Sequence, residues 1–362
     1  MSITSSPSTS ASPKGSARIP AEEGFSLLAF VVKYGILVIF LIIFVVFWFA
    51  VPGFGSVNNV VSIFQAQAVA GIAALGMTLA AVVGDLDLSV GATAGLSVTV
   101  AAMTMIEFNM TGATAILTCL IAGALVGLVN AILIVVLKIP DLLATLAVMF
   151  TVQGLKKWLV DGQTLTTGMT LPSGTTVKGK FTSDFTAIDG KALLGVPYSV
   201  FLFIILGILV WVFLERTRYG RVFYAVGGNP EAARLAGARV SRYRFAAYLM
   251  SGVLAAIAGI VLASRLRQGD VTAGDSSLLD AVAMTLVGYA VLGAKKPNAL
   301  GTFVGAMFIG TILQGLTQMG LSYYTQDLIK GLVLLFALIM SFSLRRRRRR
   351  PATVPTESAV ST

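Results

Sequence analysis

The stretch TRYGRVFYAVGGNPEAARLAGARVSRYR, residues 217–244, is a polar and strongly basic interruption between two long apolar runs. Residues 215–244 carry seven arginines (Arg216, Arg218, Arg221, Arg234, Arg239, Arg242, Arg244) against Glu215 and Glu231, an excess of five positive charges. In a chain of membrane spans that excess places the loop in the cytoplasm, because arginine-rich loops stay on that side. Within it, NPEAARLAGA has the punctuation of a short helix. Asn229 can cap it, Pro230 suits the first helical position, where the missing N–H is no loss, and Gly237 can stop it. A capped helix held in water between membrane runs suggests a docking element, and through it a motor.

The runs on either side are apolar enough for lipid. The 362 residues are 56% hydrophobic and 12% charged, with a mean hydropathy of +0.87. Soluble domains carry about 25% charged residues, so the chain falls in the membrane class. Spans of about 20 apolar residues can be drawn near 29–51, 59–83, 92–107, 112–137, 142–160, 197–215, 245–264, 277–293, 299–319 and 326–344. The expected fold is thus an all-α membrane protein of about ten transmembrane helices, with both termini cytoplasmic.

Three regions follow: a disordered cytoplasmic tail over 1–28, a transmembrane domain over 29–344 that includes the cytoplasmic loop 215–244, and a basic cytoplasmic tail over 345–362. The first tail is rich in Ser, Pro and Ala and lacks the apolar core of a cleavable signal. The net charge of +11 owes six units to Arg345–Arg350, just after the last apolar run. That position suits anchoring beside anionic lipid rather than nucleic-acid binding. The segment 161–196 then faces outward, its Lys178, Lys180 and Lys191 offset by Asp161, Asp184 and Asp189. Lys156, Lys157, Arg265 and Arg267 also fall toward the outer side, against the charge rule, unless they mark an outer vestibule.

Several enzyme classes are excluded. Histidine is absent and Cys119 is alone in an apolar run, so His-based triads, the usual zinc sites and an intrachain disulfide are ruled out. GTTVKGKF (174–181) has P-loop spacing up to its lysine, but Phe181 stands where a magnesium-binding hydroxyl is needed. No nucleotide site remains in the chain.

Two groups of polar residues stand out in or beside the spans. Asp85, Asp87 and Ser89 sit in GMTLAAVVGDLDLSVGATAGL (76–96), at the cytoplasmic interface; they can cap the following helix or form a gating turn. Asn130, Gln153, Gln314 and Gln318 are the main polar residues within spans. They can line a path for a neutral hydroxylated solute or hydrogen-bond between helices. Small-residue pairs (Gly123/Gly127, Gly252/Gly259, Gly301/Gly305) favour close helix packing. GALVGLVNAIL (123–133) is similar to GTFVGAMFIGTIL (301–313) in spans of opposite direction. This fits inverted repeats of spans 2–5 and 7–10, and equally a coincidence of two short apolar stretches.

The segments GMTLAAVVGDLDLSVGA, GLVNAILIVVLKIPDLLATLAVM, TRYGRVFYAVGGNPEAARLAGARV and YLMSGVLAAIAGIVLASRL resemble the permease subunits of bacterial ABC importers for simple sugars, of which the ribose-type permease is the best-known member. The likeness runs from about residue 30 to 344. It implies an inner-membrane permease that moves a monosaccharide or polyol from periplasm to cytoplasm and catalyses no covalent chemistry. The implied partners are cytoplasmic ABC ATPase subunits, a second permease subunit (homo- or heterodimer) and a periplasmic solute-binding protein. This chain would bind no cofactor; ATP and magnesium belong to the ATPase. By the same resemblance residues 229–237 form the coupling helix. Glu231, Ala232, Ala233, Arg234, Leu235 and Gly237 are its core, and Arg218, Gly220 and Arg221 brace the loop. The chain departs from the family at VGYAVLGAKKPNALG (287–301), where a glycine-rich turn is usual, at Asp141 in place of a proline, and at the extra Asp85. These departures fit a subfamily whose solute is not ribose. Competing readings are an ABC permease for branched-chain amino acids or nucleosides, and an ion-coupled secondary transporter. The second is disfavoured by the lack of histidine and the interfacial place of both acids.

Overall fold

A computed structural model describes residues 27–171, 174–290, 296–322, 324–333 and 335. Nearly all of the N-terminal tail, the whole arginine tail, most of the run 326–344 and residues 291–295 of the altered turn lie outside them. The described chain is almost entirely helical, in the order α1 (Leu27–Ala50), α2 (Val57–Val82), α3 (Val90–Ala102), α4 (Gly112–Ala131), α5 (Asp141–Trp158), α6 (Ser183–Gly190), α7 (Tyr198–Arg216), α8 (Arg218–Gly228), α9 (Pro230–Leu235), α10 (Val240–Leu266), α11 (Ser277–Ala290) and α12 (Ala299–Gln318). A further helix occupies 324–333. Single π-helical turns, Met103–Glu107 and Ile132–Val136, extend α3 and α4. One small antiparallel hairpin, β1 (Ala192–Leu193) with β2 (Val196–Pro197), precedes α7.

Among the described residues six helices are long and apolar enough to cross a membrane: Val57–Val82, Val90–Glu107, Gly112–Val136, Tyr198–Arg216, Val240–Leu266 and Ala299–Gln318. The other expected spans are met to different degrees. Run 142–160 becomes α5, whose 18 residues include Asp141, Lys156 and Lys157. Run 277–293 is described as α11 over Ser277–Ala290, 14 residues, the rest of the run lying outside the described residues. Run 29–51 becomes the 24-residue α1.

Two antiparallel helices form the centre. Arg244 at the start of α10 pairs with Asp85 just after α2, while Arg265 near the end of α10 donates to the Gln65 carbonyl in the first half of α2, at 2.6 Å. The remaining helices pair around this axis in an exchanged pattern. α4 packs on α10 and α12 on α2; α3 packs on α10 and α11 on α2; α3 meets α4 and α11 meets α12. Both α4·α10 and α12·α2 are antiparallel. Gly127 lies against Tyr248 and Gly123 against Gly252 and Ala256; Thr302 bonds Thr78 and Gln314 bonds Asn59. This is the contact pattern expected of two repeats of opposite direction.

Close backbone approach makes these pairs possible. A Cβ built on Gly252 would stand 2.3 Å from the Gly123 carbonyl oxygen, and one on Gly301 would stand 2.2 Å from that of Gly288. Without a hydrophobic drive between helices in lipid, such small-residue contacts supply the packing. On the outer side of α4, Leu117, Ile121, Leu125 and Val129 are exposed at i, i+4 spacing, the stripe a lipid-facing helix needs.

Gly252→Ala should therefore destabilise the bundle by about 1–3 kcal/mol through overpacking. Gly154→Ala, where nothing lies within 4 Å of the added methyl, should not. Thermal unfolding of both variants in detergent checks this, with a lowered midpoint expected for Gly252→Ala alone.

Candidate functional site

The basic loop folds as two helices. Thr217 opens the first: its Oγ accepts from the Gly220 N–H at 3.1 Å, while its hydroxyl donates to the Phe213 carbonyl at 2.6 Å. This turns the chain so tightly that a Cβ on Gly220 would sit 2.2 Å from the Leu214 carbonyl oxygen, so the glycine of YGR is sterically required. Phe223 is buried on the inner face of α8, edge-on to Phe213 and Tyr243. The Tyr224 hydroxyl donates to Glu215 at 2.8 Å, and Lys296 lies 3.6 Å over the Tyr224 ring. Burial, reinforced by the Glu215 carboxylate, pushes the Tyr224 phenol pKa upward. The resemblance assigned bracing to Arg218 and Arg221 as well. Their side chains instead point outward, Arg218 lying over the neighbouring Tyr219 ring. Gly220, Tyr224 and Lys296 do the bracing.

α9 forms as its residues indicate. Asn229 Oδ1 accepts from the Ala232 N–H at 3.0 Å, and Pro230 occupies the first turn. At the far end Gly237 adopts φ +85. Its N–H reaches the Arg234 carbonyl and the Ala238 N–H reaches the Ala233 carbonyl, both at 2.9 Å. This closure needs a left-handed residue and so needs glycine. Only Ala233 of the helix is buried. Glu231 and Arg234 pair at 3.1 Å on the exposed side, where an ion pair adds little stability. Leu235 is 89% exposed.

Beneath the loop lies the α2–α3 turn. A Cβ on Gly227, at the end of α8, would fall 2.0 Å from the Val82 carbonyl oxygen. Gly227 therefore rests directly on this turn, beside Gly84 with φ +96. The turn is knotted to three helices. Arg244 Nε donates to Asp85 Oδ2 at 2.8 Å and its Nη2 to Oδ1 at 2.7 Å. Asp87, 1% exposed, accepts at Oδ1 from the Ser89 N–H (3.0 Å), the Ser89 hydroxyl (2.6 Å) and Asn130 (3.4 Å), and at Oδ2 from the Ser251 hydroxyl (2.7 Å). Asp141, the departure from the family's proline, accepts the Leu86 N–H at 2.7 Å. Burial pushes both the Asp85 and Asp87 carboxyls up; Arg244 pulls Asp85 back, and the Ser89 and Ser251 hydroxyls pull back Asp87.

Ser89 makes no side-chain cap to α3, and Asp87 folds the turn back on the Ser89 N–H while joining α4 to α10. Of the four in-span amides, Asn130 is fully enclosed and donates to Ser89 Oγ at 2.8 Å. Gln314 and Gln318 both donate to Asn59 Oδ1. These three serve interhelical bonding. Gln153 alone reaches toward a half-exposed group, Asp275. Two of the four charges that run against the sidedness rule are paired: Lys156 with Asp275 at 2.7 Å, and Arg265 with Asp189 at 2.9 Å. At Asp189 burial pushes the carboxyl up, yet Arg265 outweighs it and the net displacement is downward. The P-loop-like 174–181 segment lies beside 165–171, with the Val177 N–H on the Met169 carbonyl, and no helix begins until Ser183. It is not a phosphate cradle.

Membrane-length helices in exchanged antiparallel pairs, with a polar loop packed at one end, define a multi-pass helical membrane protein. The chain belongs to the family described as the permease component of the branched-chain amino acid transport system, whose model matches residues 59–338. It is 33% identical over 289 residues, 80% of this chain and 87% of the relative, to the ribose import permease protein RbsC of Escherichia coli (strain K12). RbsC of Bacillus subtilis (strain 168) shows 33% identity over 80% of this chain and 86% of that protein. The xylose transport system permease protein XylH of Escherichia coli (strain K12) shows 28% over 91% and 97%. No solved structure matches significantly.

Removing one partner of the Asp85–Arg244 pair leaves the other charge buried or half-buried, with a loss of about 3 kcal/mol expected. Asp85→Asn and Arg244→Gln should each lower the unfolding midpoint, and the double variant should recover much of the loss. A double-mutant cycle on the purified protein reads this coupling.

Proposed function

We propose that this chain is the membrane-spanning subunit of an ATP-driven importer for a monosaccharide or polyol, with α9 as the helix that receives the stroke of a cytoplasmic ATPase. The observation that carries the reading is the build of α9. It is capped at both ends, holds only Ala233 inward, presents Leu235 to solvent, and stands on the α2–α3 turn through Gly227. A six-residue helix has no stability of its own. Two caps and a bracing α8 that hold it in solvent are consistent with insertion into a partner's groove.

The family supports an ABC permease, and the ribose and xylose names of its relatives support a sugar cargo. ATP and magnesium would sit on the separate ATPase subunits. A periplasmic binding protein would deliver solute to the opposite end, and a second permease subunit would complete the path. The basic loop supports a cytoplasmic location for this end, which places both tails inside as well. ATP-driven closure of the ATPases would push α9, and through Gly227 the turn at 84–89. That turn is tied to α4, α5 and α10, so its displacement would tilt the helices around the path. Such coupling requires the ATPase to bind the inward- and outward-open states with different affinity.

Leu235→Asp puts a charge at the proposed contact without touching the fold. ATP-dependent uptake in vesicles containing the ATPase and binding protein should fall at least tenfold, equivalent to about 1.4 kcal/mol of lost contact. The variant should remain at normal levels in the membrane. Unchanged uptake would remove α9 from the contact. Thermal-shift screening of the cognate binding protein against sugars and polyols identifies the cargo.

A further inference from the structure

The chain between α10 and α11 re-enters the bundle. At Arg267 the helix ends in a left-handed cap, and Gly269 lies beside Ala102 and Leu165. Five residues later Gly274 has descended to Gly91 and Gly95, where a Cβ on it would meet the Gly91 carbonyl oxygen at 2.5 Å and the Gly95 nitrogen at 2.6 Å. Along α3 that is a descent of about 10–16 Å, at 1.5 Å per residue. α11 begins only there, at Ser277. Non-helical backbone at such depth is stable only where protein buries it or where it borders water.

Both conditions meet in this segment. On its inner side Ala273 and Gly274 are buried. The ammonium of Lys156, 0% exposed, donates to the Ala273 carbonyl at 3.0 Å and to Asp275 Oδ1 at 2.7 Å. On its outer side Thr272 and Ser276 are exposed, and the Asp275 side chain is 36% exposed. Gln153 of α5 extends the polar edge, donating to Asp275 at 3.4 Å. A partly exposed carboxylate, an amide and two hydroxyls at span depth are strongly disfavoured against lipid tails, whereas the lipid-facing stripe of α4 carries only aliphatic side chains.

We propose that the polar edge formed by Gln153, Thr272, Asp275 and Ser276 borders the aqueous solute path and hydrogen-bonds the hydroxyls of the passing solute, with Lys156 as the positioning residue that holds Asp275 and the re-entrant backbone in place. The contact with solute rests on the importer reading above; the contact with water does not. Asp275 keeps one oxygen on Lys156 and offers the other. A carboxylate oxygen and an amide are acceptor and donor suited to vicinal hydroxyls, and a branched aliphatic solute would leave both unpaired.

The test separates the two parts. Thr272→Cys, Ser276→Cys and, as a lipid-facing control, Ile121→Cys are made singly in the full chain. The native Cys119 is fully buried and serves as a silent background. Reaction with a charged, membrane-impermeant methanethiosulfonate requires water and a thiolate, so Thr272→Cys and Ser276→Cys should react about 100-fold faster than Ile121→Cys. Rates equal to the control would overturn the proposal by placing this edge against lipid or in a dry packed interface. Gln153→Leu should raise the uptake KM about fivefold, the effect of one lost hydrogen bond. If the cysteines react but Gln153→Leu and Asp275→Asn leave the KM and solute preference unchanged, the edge borders water but does not recognise solute, and the recognition half of the proposal fails.

Discussion

A carboxylate enclosed by protein must be met by donors, and Asp87 is the most enclosed acid of the α2–α3 turn. It gathers the Ser89 N–H and hydroxyl from its own turn, Asn130 from α4 and Ser251 from α10. Stripping donors from such a group is strongly destabilising, so the turn cannot move independently of those two helices. Arg244 on Asp85 and Asp141 on the Leu86 N–H add α10 again and α5. Three helices of the bundle are thus fastened at one six-residue turn, and the basic loop stands on that turn.

This arrangement gives the loop a mechanical meaning. Capping makes α9 rigid, and Gly227 against Val82 leaves no space for a side chain between loop and turn. A push on α9, as proposed above, would therefore be transmitted by hard contact to a polar knot. The helix pairs around α2 and α10, joined by glycine contacts rather than bulky interlocking side chains, are suited to small rotations. Lys296 over Tyr224 ties the α11–α12 connection to the same loop, so the second half of the chain is linked to it as well.

How much of this was legible in the sequence depends on the range of each interaction. α9 was fully legible, because Asn229, Pro230 and Gly237 act on neighbours three to five residues away. The charge excess and the apolar runs likewise gave the membrane class and the exposed position of the loop. The knot was not legible: Asp85 meets Arg244, and Asp87 meets Asn130 and Ser251, across separations that no local pattern encodes. Asp141 looked like a lost proline until its partner, the Leu86 N–H, was placed. Lys156 and Arg265 looked like violations of sidedness because their partners, Asp275 and Asp189, lie in segments read as loops. The fifth run was read by length and hydropathy alone, which cannot foresee that Asp141 and Lys156 at its ends are held by partners elsewhere in the chain.

The central claim is that force passes from α9 to the helices through the contact of Gly227 with the α2–α3 turn. Gly227→Leu, assembled with its ATPase and binding protein in vesicles, tests it most directly when uptake and ATP hydrolysis are measured on the same sample. The account predicts that hydrolysis persists while uptake falls at least tenfold, so that the ratio of solute moved to ATP consumed collapses. Uptake and hydrolysis that stay at their native ratio, whether both unchanged or both reduced together, would contradict it.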